Sequence, residues 1–327
     1  MTAARLAAAA PYAVLPALMI IALPLMAFPT WVTLTIAGLA MGMLLFLMAS
    51  GLTLIFGLMD VLNFAHGAFI TLGAYVAVSV LGGLAGWTAA DSGWLNLAAL
   101  LVAILVAALA GGVAGVAFEQ IIVRRVYGLH LRQILITVGG LIVAEQLFIV
   151  FWGPDTIPLA RPATLRGSIS LGDATVETYR LLCLGLGLLV AAVMQWVLTR
   201  TRVGLLVRAG VENREMVEAL GYRIRRLFIA IFAAGTALAA LGGVMWAQYQ
   251  ESVSNHMGSD LTILVFIVLI IGGLGSVGGC FVGAILVGLV ANYAAFLLPK
   301  LALGSNILVM VLILLWRPRG LFPVAKW

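Results

Sequence analysis

From Leu6 to Met59 the chain contains no Asp, Glu, Lys, Arg or His, and this uncharged run constrains the fold more than any motif in the sequence. One helical crossing of a bilayer takes about 20 apolar residues, so the run is long enough for two crossings in succession. The pattern continues downstream. Apolar segments lie near residues 12–28, 33–58, 67–85, 95–118, 133–152, 179–199, 227–249, 260–275, 280–298 and 303–316. Two of these, 260–275 and 303–316, are shorter than the roughly 17 residues that a full crossing needs, and they read as half-length or re-entrant segments. The expected fold class is an all-α polytopic integral membrane protein with about 8–10 transmembrane helices, broken or half-length ones included, in a single transmembrane domain over residues 1–327. Hydrophobic residues make up 64% of the chain and charged residues 9%. Ordinary soluble domains carry about 25% charged residues, which disfavours a soluble globule, a disordered chain and a nucleic-acid binder.

The basic residues fall in alternate gaps between the apolar segments. Of 18 Lys and Arg, 14 belong to four groups: Arg5; Arg124, Arg125 and Arg132; Arg200, Arg202, Arg208, Arg214, Arg223, Arg225 and Arg226; and Arg317, Arg319 and Lys326. The other gaps hold Arg161, Arg166, Arg180 and Lys300 together with Asp91, Asp155, Asp173, Glu177, Glu251 and Asp260. Positive charge marks the cytoplasmic side, so both termini are expected there, with a long cytoplasmic loop at 200–226 and a long outer loop at 153–180. The net charge of +6 then reflects membrane topology rather than a phosphate-binding surface. Pro16, Pro24 and Pro29 interrupt the first apolar run, and no small-x-small cleavage site follows it. The run is expected to stay as the first helix rather than leave as a signal peptide.

Several chemistries are absent from the sequence. The only lysines, Lys300 and Lys326, do not follow a glycine, so no GxxxxGK[ST] phosphate loop exists. There is no GxSxG elbow and no HExxH pair. Cys183 and Cys280 lie inside apolar segments and read as small packing residues, while His66, His130 and His256 are scattered without metal-ligand spacing. Transport, rather than catalysis, is the expected function, with no cofactor in this chain.

The polar residues inside apolar territory are the candidate sites. Asp60, Asn63 and His66 end the uncharged run at spacings of three, which would place them on one side of a helical turn. Two readings stand: a polar cluster at the cytoplasmic mouth of a pathway, or a surface turn in which Asn63 caps the next helix. Glu145, beside Gln146, is the one acid set well inside a segment. A charge at mid-bilayer costs about 2.5–3.5 kcal/mol on insertion scales, so Glu145 is expected to face a partner, a cavity or a neighbouring subunit, or to be protonated. Gly38 with Gly42, and Gly111 with Gly115, have the four-residue spacing that lets helices approach closely. The run GGLGSVGG, with Gly272, Gly273, Gly275, Gly278 and Gly279, is too glycine-rich for a continuous helix and reads as a tight turn or broken helix in the membrane.

The cytoplasmic loop is not a plain linker. Val211, Met216, Val217 and Leu220 alternate with Arg208, Glu212, Glu215 and Glu218 at about helical spacing, and Gly221 follows. That pattern predicts a short amphipathic helix ended by a glycine, whose apolar face needs cover from the membrane domain, the headgroups or a partner.

Four strings occur in order between residues 40 and 323: GLTLIFGLMDVLNFAHGAFITLGAY (51–75), RAGVENREMVEALG (208–221), GGLGSVGG (272–279) and WRPRGLFP (316–323). Together they resemble the branched-chain amino acid type permease family of bacterial ABC importers, and more narrowly the subunit that carries the NFAHG motif. The resemblance implies a multi-pass subunit of the bacterial inner membrane, paired with a second, related permease as a heterodimer. Two cytoplasmic ATP-binding subunits would carry ATP and Mg, and a periplasmic binding protein would deliver the solute. It places Asn63, Phe64, Ala65, His66 and Gly67 near the translocation pathway, with Asp60 and Glu145 as further pathway candidates. It makes 212–221 a coupling helix on an ATPase, where Glu218, Ala219 and Gly221 match the EAA-and-glycine core and Leu220 replaces its usual second alanine. The loop 153–180 would help receive the binding protein, its mixed charge permitting salt-sensitive docking. The implied cargo is a small neutral or zwitterionic solute: a branched-chain or other amino acid, urea, an amide or a small organic acid. The alternative from another class is a self-sufficient secondary transporter or channel that uses Glu145, His66 or Asp60.

Overall fold

The structure, a computed structural model, describes residues 2–212, 214–219, 221 and 223–323. Its helices are α1 (Thr2–Ala22), α2 (Phe28–Met59), α3 (His66–Gly83), α4 (Ala85–Ala89), α5 (Gly93–Ile121), α6 (His130–Trp152), α7 (Thr178–Arg200), α8 (Arg202–Glu212), α9 (Arg214–Ala219), α10 (Ile224–Gln250), α11 (Met257–Gly272), α12 (Val277–Leu297) and α13 (Ala302–Trp316). Among the described residues seven helices are long and apolar enough to cross a membrane: α2, α3, α5, α6, α7, α10 and α12. Three shorter apolar helices, Ala13–Leu25, Met257–Gly272 and Gly304–Trp316, coincide with the remaining apolar segments of the sequence. The chain is thus an all-α, multi-pass membrane protein.

Helices α2 and α10 form the centre. They pack on each other, α2 also packs on α12 and α7, and α10 on α5 and α3. Backbone contact between helices drives this arrangement, since lipid tails give apolar helices no reason to associate and small residues let them touch. A Cβ at Gly38 or Gly42 would stand 2.9 Å and 2.8 Å from the Cα atoms of Leu289 and Ile285 on α12. At Gly111 it would stand 2.6 Å from the Cβ of Ala240, and at Gly115 it would overlap Thr236, both on α10. Both glycine pairs seen in the sequence are therefore packing seams. Helix α6, by contrast, buries only Gln133, Thr137, Glu145 and Phe148 within this chain, which makes it a peripheral helix.

The two central helices end in the same way. Asp60 after α2 (φ 53) and Glu251 after α10 (φ 55) are the non-glycine residues with left-handed backbone among the described residues. After each, the chain runs as non-helical backbone for several residues before a new helix starts, α3 at His66 and α11 at Met257. The turn that opens each helix is closed alike: His66 N–H donates to Asn63 O, and Met257 N–H to Ser254 O, both at 3.2 Å. Gly67 and Gly258 each lie seven residues past the left-handed acid, and Thr71 and Thr262 four residues further. The two glycines face each other so closely that a Cβ on either would overlap the carbonyl of the other. Thr71 Oγ accepts the Gly258 N–H at 2.9 Å. Two halves of the chain thus repeat one device in opposite directions, and it meets itself where the first turns of α3 and α11 cross.

The breaks lie inside the membrane domain. Trp152 Nε1–H, at the end of α6, donates to Ser79 Oγ of α3 at 3.0 Å. At 1.5 Å of rise per residue, His66 then sits about 20 Å below that end of the molecule. Irregular backbone at such depth is tolerated only where protein or a water-filled path satisfies it. Here, protein supplies part of that: Phe64 N–H donates to Thr137 Oγ at 3.2 Å and Ala65 N–H to Asn63 Oδ1 at 3.1 Å.

GGLGSVGG is a tight interhelical turn rather than a broken helix. Gly272 ends α11, Gly278 and Gly279 lie in α12, and the reversal occupies Gly273 to Ser276, with φ of 101° at Gly273 and 80° at Gly275. Ser276 caps α12 by accepting the Gly279 N–H at 3.1 Å. The C-terminal stretch folds back onto this turn through Leu321 N–H to Ile271 O and Phe322 N–H to Gly272 O, which explains why WRPRGLFP and GGLGSVGG occur in one chain.

In the loop at 153–180, Ser168–Leu171 (β2) pairs antiparallel with Ala174–Glu177 (β3), while the short strand Ile157–Pro158 (β1) pairs with Ser252–Val253 (β4) in the second break. Three of its six expected docking charges, Arg161, Glu177 and Arg180, are engaged in ion pairs within the chain. Arg161 contacts Glu177 at 2.9 Å and Glu251 at 3.1 Å, and Arg180 contacts Glu177 at 3.0 Å. Arg161 also donates to the carbonyls of Gln248 and Tyr249 at 2.9 Å, so a cation caps the negative end of α10. The mixed charge there holds the loop to the break.

Candidate functional site

The sequence placed Asp60, Asn63 and His66 on one side of a helical turn, either at the mouth of a pathway or in a surface turn, and the structure corrects the shared side. Residues 60–63 are not helical, so a spacing of three does not bring these side chains together. Asp60 remains at the end of α2, its carboxylate 3.9 Å from His130 Nε2. Asn63 and His66 lie in the interior, at 0% and 1% exposure. His66 Nε2 bonds to Met48 O at 2.9 Å, and Met48 lies eleven residues, about 16 Å, from the end of α2. The motif therefore climbs from the end of α2 into the middle of the domain. Phe64 stacks on Phe266 of α11 with centroids 4.7 Å apart, and Gly67 makes the contact with Gly258.

Two polar atoms here have no protein partner: Asn63 Nδ2 and His66 Nδ1 are buried without a hydrogen bond among the described residues. An unmade buried hydrogen bond costs about 1–3 kcal/mol, so these atoms are ready to receive water or a solute. Gln248 on α10 is likewise fully buried with both side-chain ends unpaired. His66→Ala is expected to change the uptake rate of the assembled transporter at least severalfold while assembly, read by size-exclusion profile, is kept. An unchanged rate would leave His66 a packing residue of the turn.

Glu145 is nearly buried and finds a partner that the sequence did not reveal. Its carboxylate lies 3.5 Å from His256 Nδ1, the residue before α11, and Asn255 Nδ2 stands 3.2 Å from the other ring nitrogen. A peripheral helix is thereby tied to the second break. Glu145→Leu is expected to be tolerated better than Glu145→Ala, because refilling the site apolar avoids both a cavity and an unpaired group. Thermal melting of the purified transporter checks this, and equal loss in the two variants would deny the tie a structural role. Sequence reasoning also missed Glu119, which it placed beyond the apolar segment. It is 1% exposed near the end of α5 and accepts a hydrogen bond from Tyr127 Oη at 2.5 Å. The Tyr eight residues on was the available signal, but only folding of the 123–126 turn brings it back.

The described part of the expected amphipathic helix lies in α8 and α9, where Val217 is buried whereas Met216 is 61% exposed. Gly221 does end α9, with φ 84° and its N–H donating to Glu218 O at 2.9 Å. Glu218 and Ala219 are exposed, as a docking surface requires. The side chains of Arg208, Val211, Glu212 and Glu215, and all of Leu220, lie outside the described residues. Among the described residues no cluster of His, Cys, Asp and Glu could hold a metal ion, and Cys183 and Cys280 are free and buried.

Comparison with known proteins places this architecture in context. The family model described as "Branched-chain amino acid transport system / permease component" matches residues 34–316. The chain is 26% identical over 290 residues to the high-affinity branched-chain amino acid transport system permease protein LivH of Escherichia coli (strain K12), covering 87% of this chain and 92% of that protein. It is 26% identical over 294 residues to BraD of Pseudomonas aeruginosa, a protein of the same description, covering 87% and 93%. With the autoinducer 2 import system permease protein LsrC of Yersinia pestis (strain Pestoides F) it shares 28% over 247 residues, 74% of this chain and 64% of that protein. No solved structure matches it.

Proposed function

Because the chain belongs to the family of branched-chain amino acid transport system permease components, we propose that it is the NFAHG-bearing permease subunit of a binding-protein-dependent ABC importer. In this reading it pairs with a second, related permease in the bacterial inner membrane. Two cytoplasmic ATP-binding subunits supply ATP and Mg chemistry, and a periplasmic binding protein delivers the solute. The cargo of this reading is a branched-chain or other small amino acid, a choice supported by the names of LivH and BraD.

The family match over residues 34–316 carries the reading, and the geometry supports it. With both termini and the 200–226 loop on the cytoplasmic side, as the arginine groups require, α8, α9 and Gly221 face the ATPases. Glu218 and Ala219 form the exposed part of the contact, with Arg208, Glu212 and Glu215 beside them in sequence. The loop 153–180 faces the binding protein. Closure of the ATPases on ATP biases the permease pair between outward-open and inward-open states, and differential contact of the docked helices with the two states supplies the coupling. The paired breaks give the chain non-helical backbone at mid-depth on which such a change can act. Asn63, Phe64, His66 and Gly67 lie along that path in this reading, whereas Asp60 and Glu145 are held by His130 and His256. The self-sufficient transporter reading needs one of Asp60, His66 or Glu145 to carry coupling, and of these Asp60 and Glu145 are already paired with histidines within the chain.

Reconstituted alone in proteoliposomes, the chain is expected to move no leucine under any ion gradient. With its partner permease, ATPases, binding protein and ATP it is expected to accumulate leucine. Gradient-driven uptake by the chain alone would overturn the reading.

A further inference from the structure

The two halves share one backbone device, but they fill it differently. Counting from the left-handed acids Asp60 and Glu251, His66 corresponds to Met257, Phe69 to Asp260 and Ile70 to Leu261. In the first half this face is closed: Phe69 is buried and packs edge-on against Phe118 and Phe232. In the second half the same face is open. A cavity of about 410 Å³ lies there, between the end of α10, the β4 segment and the first two turns of α11. Small-solute pockets run from about 300 Å³ upward, so the volume suits a compact molecule.

The lining of this cavity has a definite chemistry. Trp246, Leu261 and Leu264 supply an apolar wall, Gln250 and Ser254 supply neutral hydrogen-bonding groups, and Asp260 supplies a carboxylate. Asp260 is exposed and, among the described residues, makes no side-chain hydrogen bond or ion pair. It differs in this from Glu119, which Tyr127 binds, and from Glu145, which His256 binds. An ionisable group inside a membrane protein faces a cavity or a partner charge rather than lipid. The break preceding α11 is pinned at its outer end by the β1–β4 pairing, and His256 stands level with Glu145, seven residues or about 10 Å below the end of α6. The cavity accordingly lies at the β1–β4 end of the domain, which is the periplasmic side in the importer reading.

We propose that this cavity receives a zwitterionic solute with an apolar side chain. Asp260 takes the ammonium group, Gln250 and Ser254 bond the carboxylate, and Trp246 with Leu261 and Leu264 accommodates the side chain. The inference rests on the importer reading for its solute class, and it adds a specific site to it.

The test uses the assembled importer in nanodiscs and three probes: leucine, 4-methylpentanoate, which lacks the ammonium group, and 3-methylbutylamine, which lacks the carboxylate. Saturation-transfer NMR is expected to give a leucine signal that Asp260→Asn reduces at least fivefold and that Asp260→Glu partly restores, with 4-methylpentanoate weak on all three proteins. In uptake, Asp260→Asn is expected to raise the apparent KM for binding-protein-delivered leucine at least tenfold, with ATPase docking unchanged. Leu264→Trp, which fills the cavity, is expected to do the same without altering charge. Unchanged leucine signal and KM in both variants would overturn the site while leaving the importer reading intact. A leucine signal that depends on Asp260 in a complex that accumulates no leucine would support the site and overturn the amino-acid importer reading.

Discussion

Gly258→Val is expected to abolish ATP-driven uptake and to lower the yield of monodisperse protein severalfold. A Cβ at position 258 would overlap the Gly67 carbonyl and the Thr71 hydroxyl, and none of these can retreat. Gly67 is backbone, and Thr71 is itself held by the Gly258 N–H at 2.9 Å. Overpacking a tight contact typically costs about 1–3 kcal/mol. Here it would also separate the first turns of α3 and α11, leaving the Gly258 N–H without its partner, which costs about 1–3 kcal/mol more. Gly67→Val should fail in the same way, because its Cβ would meet the Gly258 carbonyl and the Thr262 hydroxyl. Gly82→Ala is the matched control, since nothing lies within 4 Å of the added carbon, and it should be silent. Normal uptake by Gly258→Val would show that the two breaks do not act as one unit.

Gly221→Pro is expected to reduce ATP-driven uptake to background while membrane insertion is kept. The Gly221 backbone has φ 84° and donates its N–H to Glu218 O. Proline fixes φ near −65° and has no N–H, so α9 loses its C-terminal stop beside the exposed Glu218 and Ala219. Co-purification of the ATPase subunits is the direct readout and should fall with uptake. Gly221→Asn, which tolerates left-handed backbone, should retain most of both, separating a geometric from a steric effect. Glu218→Lys should act through charge alone and weaken ATPase retention at low salt more than at high salt. Full ATPase retention and uptake in Gly221→Pro would remove the coupling assignment.

The helices were legible in the sequence because lipid imposes a strong local rule: each of the ten apolar segments coincides with a helix. The glycine pairs 38 and 42, and 111 and 115, were legible as seams for the same reason. Which helix each seam meets was not, since spacing carries no partner identity. The candidate site was legible as residues and misread as geometry. Asp60, Asn63 and His66 have helical spacing, but the left-handed Asp60 stops the helix and separates them. Nothing local in Met-Asp-Val-Leu-Asn marks that conformation. The amphipathic pattern in the 200–226 loop was found, yet Val217 is buried while Met216 is exposed, because adjacent residues of one helical turn point in different directions.

By itself the sequence determined that this chain lives in a bilayer, where its apolar segments lie, which loops carry the positive charge and, through four ordered strings, which family it resembles. Those properties are sums over local residues, and hydrocarbon reads them one segment at a time. Only the tertiary structure decided that Asp60 and Glu251 begin the same device, that Gly67 meets Gly258, that Glu145 has His256 as its partner and that Asp260 has none among the described residues. The repeat is carried by backbone conformation and by a glycine and a threonine at matched distances, too few residues to stand out in a sequence. Pairing of buried polar groups depends on helices far apart in the chain, and close packing of α2, α3, α10 and α11 is what brings them within reach.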